Sequence, residues 1–267
     1  MVRGLYAAAS GALVAETAVD TIANNLANAD TAGFKRTLLQ VQAQPQRQIY
    51  RAQTDPGQAA NAATAGVSTV TPIGSLGSGA QVYDTPASFE QGAIASTGND
   101  LDVALSGPGF FAIRDANNTL SYTRDGAFLR DAQGYLTAQN GDRVLGDNGA
   151  PIVLPQQGAV TIDRTGTISV NGSSIGKLGI TEFANLNALR PQGSDRFVDS
   201  GNTAGARPAT NTTALQGSIE KSNADVVRSM VDLITNERWF DANQQVIQTQ
   251  DNTTGQAIQS VGRTSAT

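Results

Sequence analysis

The stretch LDVALSGPGFFAI contains the first pattern that could do chemistry, Gly107-x-Gly109-x-x-Ala112, directly after a strand-like run. Glycines at this spacing bind a dinucleotide pyrophosphate when a helix begins there, because the first helical amides point at the phosphates. The following residues, FFAIRDANNTLSYTR, contain no N-cap and no helical period. We therefore expect no nucleotide site, but a tight hairpin turn at Pro108 and then a core strand.

A calcium loop is the second candidate. Asp115, Asn117 and Asn118 resemble the start of such a loop, but Leu120 and Gly126 stand where it needs Gly and Glu. The pattern therefore fails, and we interpret these residues and the nearby Asp-Gly pairs as turn residues.

Pairs of carboxylates could perform acid–base catalysis, for example Asp100 with Asp102, or Asp163 with Glu182. The same residues are equally typical of exposed turns and strands. A hydrolase that uses such a pair stays an alternative, and it requires a deep cleft with close carboxylates of perturbed pKa.

Composition excludes several classes of site. The 267 residues include no Cys and no His, which excludes Cys/His zinc sites, thiol nucleophiles and Ser-His-Asp triads on this chain. The net charge is −5 and no Lys/Arg stripe occurs, so we expect no nucleic-acid partner. We expect no catalytic residue, no metal, no cofactor and no small-molecule substrate. Hydrophobic residues make up only 39%, which favours a thin core completed by neighbouring molecules.

The N-terminus has Arg3 before the apolar run LYAAASGALVA, as a secretory signal would. The same periodicity continues past the supposed cleavage point, so we expect an uncleaved segment. No stretch is long and apolar enough to span a membrane.

A strict heptad runs through residues 4–28 and predicts a helix that packs on other helices. Its apolar positions are spaced three and four apart: Leu5, Ala8, Ala12, Ala15, Val19, Ile22 and Leu26.

Asparagines interrupt the end of this helix, in IANNLANADTAGFKR. Asparagine is a mediocre helix former, so we expect the side chains of Asn24, Asn25 and Asn28 to make hydrogen bonds to a neighbouring chain inside a helical bundle. Exposed amides and a plain helix stop are the alternative. Gly33 is suited to a left-handed helix end, and Phe34 would hold the exit into the next segment.

The middle of the chain changes character twice. Residues 35–90 are rich in Gln, Pro, Gly, Ala and Thr, which is typical of an extended or mobile segment with a short strand near its end. Residues 91–205 alternate strand-like runs with Asp-Gly, Gln-Gly and Asn-Gly turns, and predict an antiparallel β domain. Its expected aromatic core is Phe110, Phe111, Tyr122, Phe128, Tyr135 and Phe183.

Residues 206–221 have the composition of a linker, and residues 222–267 predict a second long helix. Ser222 and Asn223 are its candidate N-caps, and Gly255 should weaken its end. Its apolar stripe consists of Val226, Met230, Leu233, Phe240 and Ile247. The fold class is therefore α+β, a central antiparallel β domain between amphipathic helices (1–34 and 222–267) that form a helical bundle on assembly.

Three blocks resemble the flagellar basal-body rod and hook family. The N-terminal block MVRGLYAAASGALVAETAVDTIANNLANADTAGFKR is similar to that family's N-terminal signature. LDVALSGPGFFAI, YTRDGAF and VLGDNGAPIVLP resemble motifs of its central β domain, and GSIEKSNADVVRSMVDLITNERWFDANQQVIQTQD resembles its C-terminal helix. The resemblance covers nearly the whole chain.

This resemblance implies a structural axial component of the rod that self-assembles into a helical tube and transmits torque. Its implied partners are copies of itself, other rod and hook axial proteins, and the flagellar type III export apparatus. The implied location is the periplasm-spanning basal body. Within the family, the NERWFDANQQVI stretch and the tail favour the F-type paralogue, with the G type as the alternative. A monomeric β-rich binding module with frayed helical ends is the rival from another class.

Overall fold

The computed structural model describes residues 2–45, 47–50, 72–77, 79–193 and 195–264. Within these ranges, the helices are α1 (Val2–Ala27) and α2 (Val226–Thr264), with a short 3-10 helix at Leu186–Ala188. Apart from the short 3-10 helix, the regular elements between α1 and α2 in these ranges are β strands, so the predicted α+β class is confirmed. Neither long helix of the described ranges is apolar enough over a sufficient length to cross a membrane. Part of the segment predicted as extended or mobile, residues 51–71, lies outside the described residues.

In the described part of the chain, twenty strands connect the helices. They are β1 (Gln40–Ala43), β2 (Arg47–Tyr50), β3 (Pro72–Leu76), β4 (Ala80–Asp84), β5 (Ile94–Ser96), β6 (Val103–Ser106), β7 (Phe110–Arg114), β8 (Leu120–Thr123), β9 (Leu129–Arg130), β10 (Leu136–Thr137), β11 (Arg143–Val144), β12 (Val160–Ile162), β13 (Thr167–Val170), β14 (Ser173–Lys177), β15 (Ile180–Phe183), β16 (Arg190–Pro191), β17 (Arg196–Val198), β18 (Ala206–Pro208), β19 (Thr213–Gln216) and β20 (Ser218–Glu220). The chain divides into two compact units.

The first unit comprises Met1–Asp20, Gln40–Asp84 and Ile234–Thr267. Here β1 pairs with β4 and β2 with β3, both antiparallel. A Cβ built on Gly4 would lie 3.2 Å from the Gln250 amide nitrogen, and one on Gly11 would lie 3.0 Å from the Asn243 amide oxygen. The helices therefore run antiparallel, because the earlier residue of α1 lies beside the later residue of α2. Glycine thus permits close packing of α1 on the amides of α2.

The second unit comprises Thr21–Leu39 and Thr85–Leu233. Its nine-stranded sheet runs β16-β17-β8-β7-β11-β10-β9, with β15 joining β7 to β18. Beside it lie the sheet β12-β13-β14 and the pairs β19-β6 and β20-β5. Every pairing is antiparallel, as the turn signals predicted.

The core of the second unit contains five of the six predicted aromatics, whereas Tyr135 is half-buried and lies under the guanidinium of Arg143 at 4.3 Å. The strand predicted at FFAI is present as β7. Gly107, which precedes it, has the positive φ of a turn glycine, +125°. The predicted hairpin at Pro108 is wrong: β6 pairs with β19, while β7 pairs with β8, β11 and β15.

The ends of both helices differ from the sequence prediction. α1 ends at Ala27, six residues before Gly33, although Gly33 does adopt the left-handed conformation with φ +70°. α2 begins at Val226, and neither Ser222 nor Asn223 caps it. Asp225 does so, because its carboxylate accepts the Arg228 amide at 3.1 Å. Gly255 lies within α2, which continues to Thr264.

Candidate functional site

Three distant segments of the second unit converge on one buried ion triad. Lys35 follows α1, Arg124 follows β8, and Glu220 ends β20. The Lys35 Nζ lies 2.5 Å from Glu220 Oε1, and the Arg124 Nη1 lies 3.2 Å from Glu220 Oε2. The side chains of Lys35 and Glu220 are fully closed to solvent, and that of Arg124 is 2% exposed. The single carboxylate of Glu220 therefore forms ion pairs with two buried cations.

Backbone groups complete the environment of the triad. Lys35 Nζ donates to the Glu90 carbonyl at 2.7 Å, and Arg124 Nη2 donates to the Gly107 carbonyl at 2.7 Å. The Gly92 amide donates to Glu220 Oε1 at 2.8 Å. The Arg124 guanidinium also lies 4.8 Å from the centre of the Phe110 ring. These contacts offset part of the desolvation of the three charges.

Burial dominates the acid–base properties of both cations. It lowers the pKa of Lys35, which the attraction of Glu220 opposes and the positive charge of Arg124 reinforces. Burial also lowers the pKa of Arg124, again opposed by Glu220. A cluster closed to solvent and bound to fixed partners can hold backbone segments together, and it is not open to a reacting molecule.

Asn223 joins the same segments with its side-chain amide. Its Nδ2 donates to the carbonyls of Ser88 at 2.8 Å and Glu90 at 3.0 Å, and its Oδ1 accepts the Arg36 amide at 2.7 Å. The predicted cap of α2 is therefore a link between the segments next to α1 and α2.

Asn25 has a comparable role within the chain. It is buried, its Nδ2 donates to the Thr37 carbonyl at 2.8 Å, and its Oδ1 accepts the Thr37 amide at 2.8 Å. The Asn25 amide therefore binds its own backbone in the pattern of a paired strand, and its contact with a neighbouring chain stays a prediction. Asn28 donates through Nδ2 to the Asn24 carbonyl at 2.9 Å, which closes the last turn of α1.

Replacing Asn25 with Ala should destabilise the protein by about 1–3 kcal/mol, because the Thr37 amide and carbonyl lose their partners in a buried place. Asn24→Ala is the matched control, since Asn24 is exposed, and should change stability by less than about 0.5 kcal/mol. Urea denaturation measures both. Equal losses would contradict the assigned role of Asn25.

Gly33 brings the chain close to the backbone of the segment after β8. A Cβ at Gly33 would lie 2.2 Å from the Asp125 amide nitrogen, and the Gly33 amide donates to the Glu220 carbonyl at 2.8 Å. Phe34 is buried next to it. Gly33 therefore does not end the helix; it allows Lys35 to reach the triad.

A groove of about 360 Å³ lies beside this region. Its lining includes Asn24, Asn28, Phe34, Asp195 and Phe197. Burial, together with the negative charge of Asp125, raises the pKa of Asp195 to about 6, and its φ of +54° is in the left-handed region.

Asp195→Asn should raise the melting temperature at pH 7.5 and raise it less at pH 4. The folded chain holds the Asp195 proton more tightly than the unfolded chain, whose value is near 3.8, so ionisation costs stability as the pH rises through about 6. Asn also tolerates the left-handed backbone. Thermal scans at both pH values test this, and an equal gain at both would contradict it.

The carboxylates singled out from the sequence hold turns and loops instead. Asp102 accepts from Thr97 Oγ1 at 2.6 Å, Asp115 accepts the Thr119 amide at 2.7 Å, and Asp163 accepts the Thr165 amide at 2.8 Å. Buried Glu182 accepts from Asn211 at 2.8 Å and from Thr212 at 2.9 Å. Within the described ranges, no group of three or more acidic residues could hold a metal ion.

The predicted seam positions of α1 are unequally covered. Ala8 and Ala15 are buried, and so is Ala18, which the seam omitted. The remaining seam positions are half-buried: Leu5, Ala12, Val19, Ile22 and Leu26.

On α2, Leu233, Phe240 and Ile247 are half-buried, whereas Val226 and Met230 are exposed. A second strip of apolar residues, which the sequence reasoning missed, is also exposed. It consists of Val227, Val231 and Ile234, with Trp239 and Val246 further along the helix.

Comparison with known proteins gives matches in three segments. Residues 5–35 match the family described as "Flagella basal body rod protein". Residues 104–170 match "Flagellar hook protein FlgE/F/G D1 domain", and residues 215–260 match "Flagellar basal body rod FlgEFG protein C-terminal". Each matched segment contributes one member of the triad: Lys35, Arg124 and Glu220.

Whole-length relatives agree with these segments. The FlgG rod protein of Borreliella burgdorferi is 34% identical, over 96% of this chain and 97% of the relative. The chain belongs to the flagellar basal-body rod protein family. The FlgG rod protein of Bacillus subtilis is also 34% identical, over 94% of this chain and 96% of the relative. The FlgF rod protein of Caulobacter vibrioides is 32% identical, over 95% and 94%.

Family membership makes this chain a structural component of the flagellar basal-body rod, which is not a class of enzyme. Both paralogue names, FlgG and FlgF, occur among the relatives, so the comparisons support the family rather than one paralogue.

Proposed function

We propose that this rod protein is an axial subunit that binds copies of itself and other rod and hook axial proteins through α1 and α2, and that it has no catalytic site. The exposed apolar strip of α2, Val227, Val231 and Ile234, is the observation that supports this proposal most directly. These side chains are 74%, 58% and 52% exposed, and they recur at the spacing of one helix face.

α1 has a smaller exposed apolar face of the same kind, with Tyr6 and Leu13 seven residues apart. Burying large side chains of these two faces contributes roughly 1.5–3 kcal/mol each, and this contribution arises only when further helices cover them. Contacts between different surfaces of successive copies extend into a filament when the rotation from one copy to the next does not close a ring. Torque then passes through many helix contacts in parallel.

The chain is exported by the flagellar type III apparatus without a cleaved signal, because the apolar N-terminal run is the beginning of α1 rather than a separate segment. The rival function, a monomeric β-rich binding module, requires only the β strands. Removing residues 1–30 and 222–267 separates the two, because the rival retains its function without them.

Ile234→Asp tests the proposed assembly surface. It places a charge in the exposed strip, so the purified variant should fold as the parent does, while the cells that produce it lose motility and rod incorporation. Gln244→Asp adds the same charge at an exposed polar position of α2 and should leave incorporation intact. Motility plates, fractionation of basal bodies and urea denaturation give the three readouts. Normal incorporation of Ile234→Asp would overturn the proposal.

A further inference from the structure

The ion triad connects segments that are far apart in the chain. Lys35 and Glu220 are separated by 185 residues, and Arg124 and Glu220 by 96. The segment 33–38 follows α1, and the segment 218–223 precedes α2. Both lie on the β domain of the second unit, where Lys35 and Glu220 are buried. Lys35 and Arg124 are closed to solvent, so no water can take the place of the Glu220 carboxylate if it is removed.

Direct contacts also join the two segments to each other. The Gly33 amide donates to the Glu220 carbonyl at 2.8 Å, and the Arg36 amide donates to Asn223 Oδ1 at 2.7 Å. If residues 218–223 detached, Lys35 and Arg124 would be left without their carboxylate, and if residues 33–38 detached, residues 218–223 would lose the Lys35 partner of Glu220 and the backbone contacts at Gly33 and Arg36. Breaking a buried pair from one side is strongly destabilising for this reason.

We propose that residues 33–38 and 218–223 dock on the β domain as one cooperative unit, in which Glu220 makes the docking of each segment depend on the other. The two ends of the chain are therefore ordered together or not at all. For a subunit that reaches its site as an unfolded chain, this means that α1 and α2 are positioned in one step. This consequence rests on the proposed function, whereas the coupling itself does not.

Hydrogen exchange on the dilute full-length protein tests the coupling in the Glu220→Gln variant. The reporters are the Thr37 amide, which Asn25 binds, and the Leu38 amide, which donates to the Pro86 carbonyl at 2.8 Å. Neither amide is bound to Glu220, so faster exchange there requires that the whole N-terminal segment detaches. We expect about tenfold faster exchange or more at both reporters.

Two controls separate this result from simpler effects. Glu90→Gln removes an ion pair with Arg36 in which the Glu90 side chain is 73% exposed, and it should change both reporters less than about threefold. In the parent protein, the Leu145 and Ile152 amides of the β core should exchange more slowly than both reporters, because the segments detach while the core stays folded.

Two results would overturn the proposal. One is acceleration at Gly92 alone, with Thr37 and Leu38 unchanged, because the triad would then act only locally. The other is equal protection of the reporters and the β-core amides in the parent protein, because the segments would then unfold only together with the core. Both differ from a failure of assembly, since the measurement uses the unassembled chain.

Lys35→Met provides the reciprocal test if Glu220→Gln does not fold. It leaves Glu220 and Arg124 as a balanced pair, and the reporter is the Lys221 amide, which donates to the Ala93 carbonyl at 2.8 Å. About tenfold faster exchange at Lys221 supports the coupling, and unchanged exchange contradicts it.

Discussion

Glu220→Ala should lower the free energy of unfolding by about 3–5 kcal/mol, because it leaves Lys35 and Arg124 as two unpaired cations in a place closed to solvent. Urea denaturation measures the loss. Glu90→Ala is the matched control, and it should cost less than about 1 kcal/mol because its ion pair is open to solvent.

The triple variant Lys35→Met, Arg124→Met and Glu220→Met separates charge from packing. It should lose less stability than Glu220→Ala alone, since no buried charge remains unpaired. A triple variant less stable than Glu220→Ala would show that the shape of the side chains, rather than their charge, holds the three segments together.

Gly33→Ala is the second substitution with a large expected effect, about 2–5 kcal/mol of lost stability. Its left-handed φ of +70° costs about 1–2 kcal/mol for a residue with a Cβ. The new Cβ would also lie 2.2 Å from the Asp125 backbone nitrogen, and displacing that neighbour costs about 1–3 kcal/mol.

Gly98 provides a control with nearly the same backbone. Its φ is +73°, and a Cβ there meets nothing within 4 Å, so Gly98→Ala should cost only the conformational part, about 1–2 kcal/mol. Denaturation of both variants isolates the effect of the close approach. Equal losses would contradict the role given to the contact between Gly33 and Asp125.

Local patterns predicted the architecture well, because each element is specified by neighbours in the sequence. The heptad from Leu5 to Leu26 predicts α1, and the Asp-Gly and Asn-Gly turns predict the antiparallel strands. The hairpin at Pro108 failed for the opposite reason. Which strand becomes the partner of β6 depends on β19, more than a hundred residues later, and no local signal reports that pairing.

The packing face of α1 could not be predicted in full from the apolar residues of the sequence. An apolar count selects Leu5 and Ala12, but glycine has no side chain to count, and α1 also approaches α2 closely at Gly4 and Gly11. The apolar positions and the glycine positions therefore differ by one residue along α1. On α2 the same contact uses Asn243 and Gln250, which a search for apolar residues passes over.

The ion triad could not be predicted from the sequence, although each of its members lies in a block that the family resemblance identified. A charged residue beside apolar ones, as in TAGFKR, YTRDGAF and GSIEKSN, indicates burial only when its partner is known. The asparagines were recognised as unusual, and the structure changes their interpretation: Asn25 binds Thr37 within the chain, while Asn24 and Asn28 line the groove next to it.

Electron cryomicroscopy of basal bodies from cells that produce this chain as a rod subunit tests the account most directly. In the assembled rod, helices of neighbouring subunits should cover Val227, Val231 and Ile234 of α2, while Lys35, Arg124 and Glu220 meet within each single subunit. Side chains of this strip that face open solvent in the assembled rod, or a rod that lacks the chain, would contradict it.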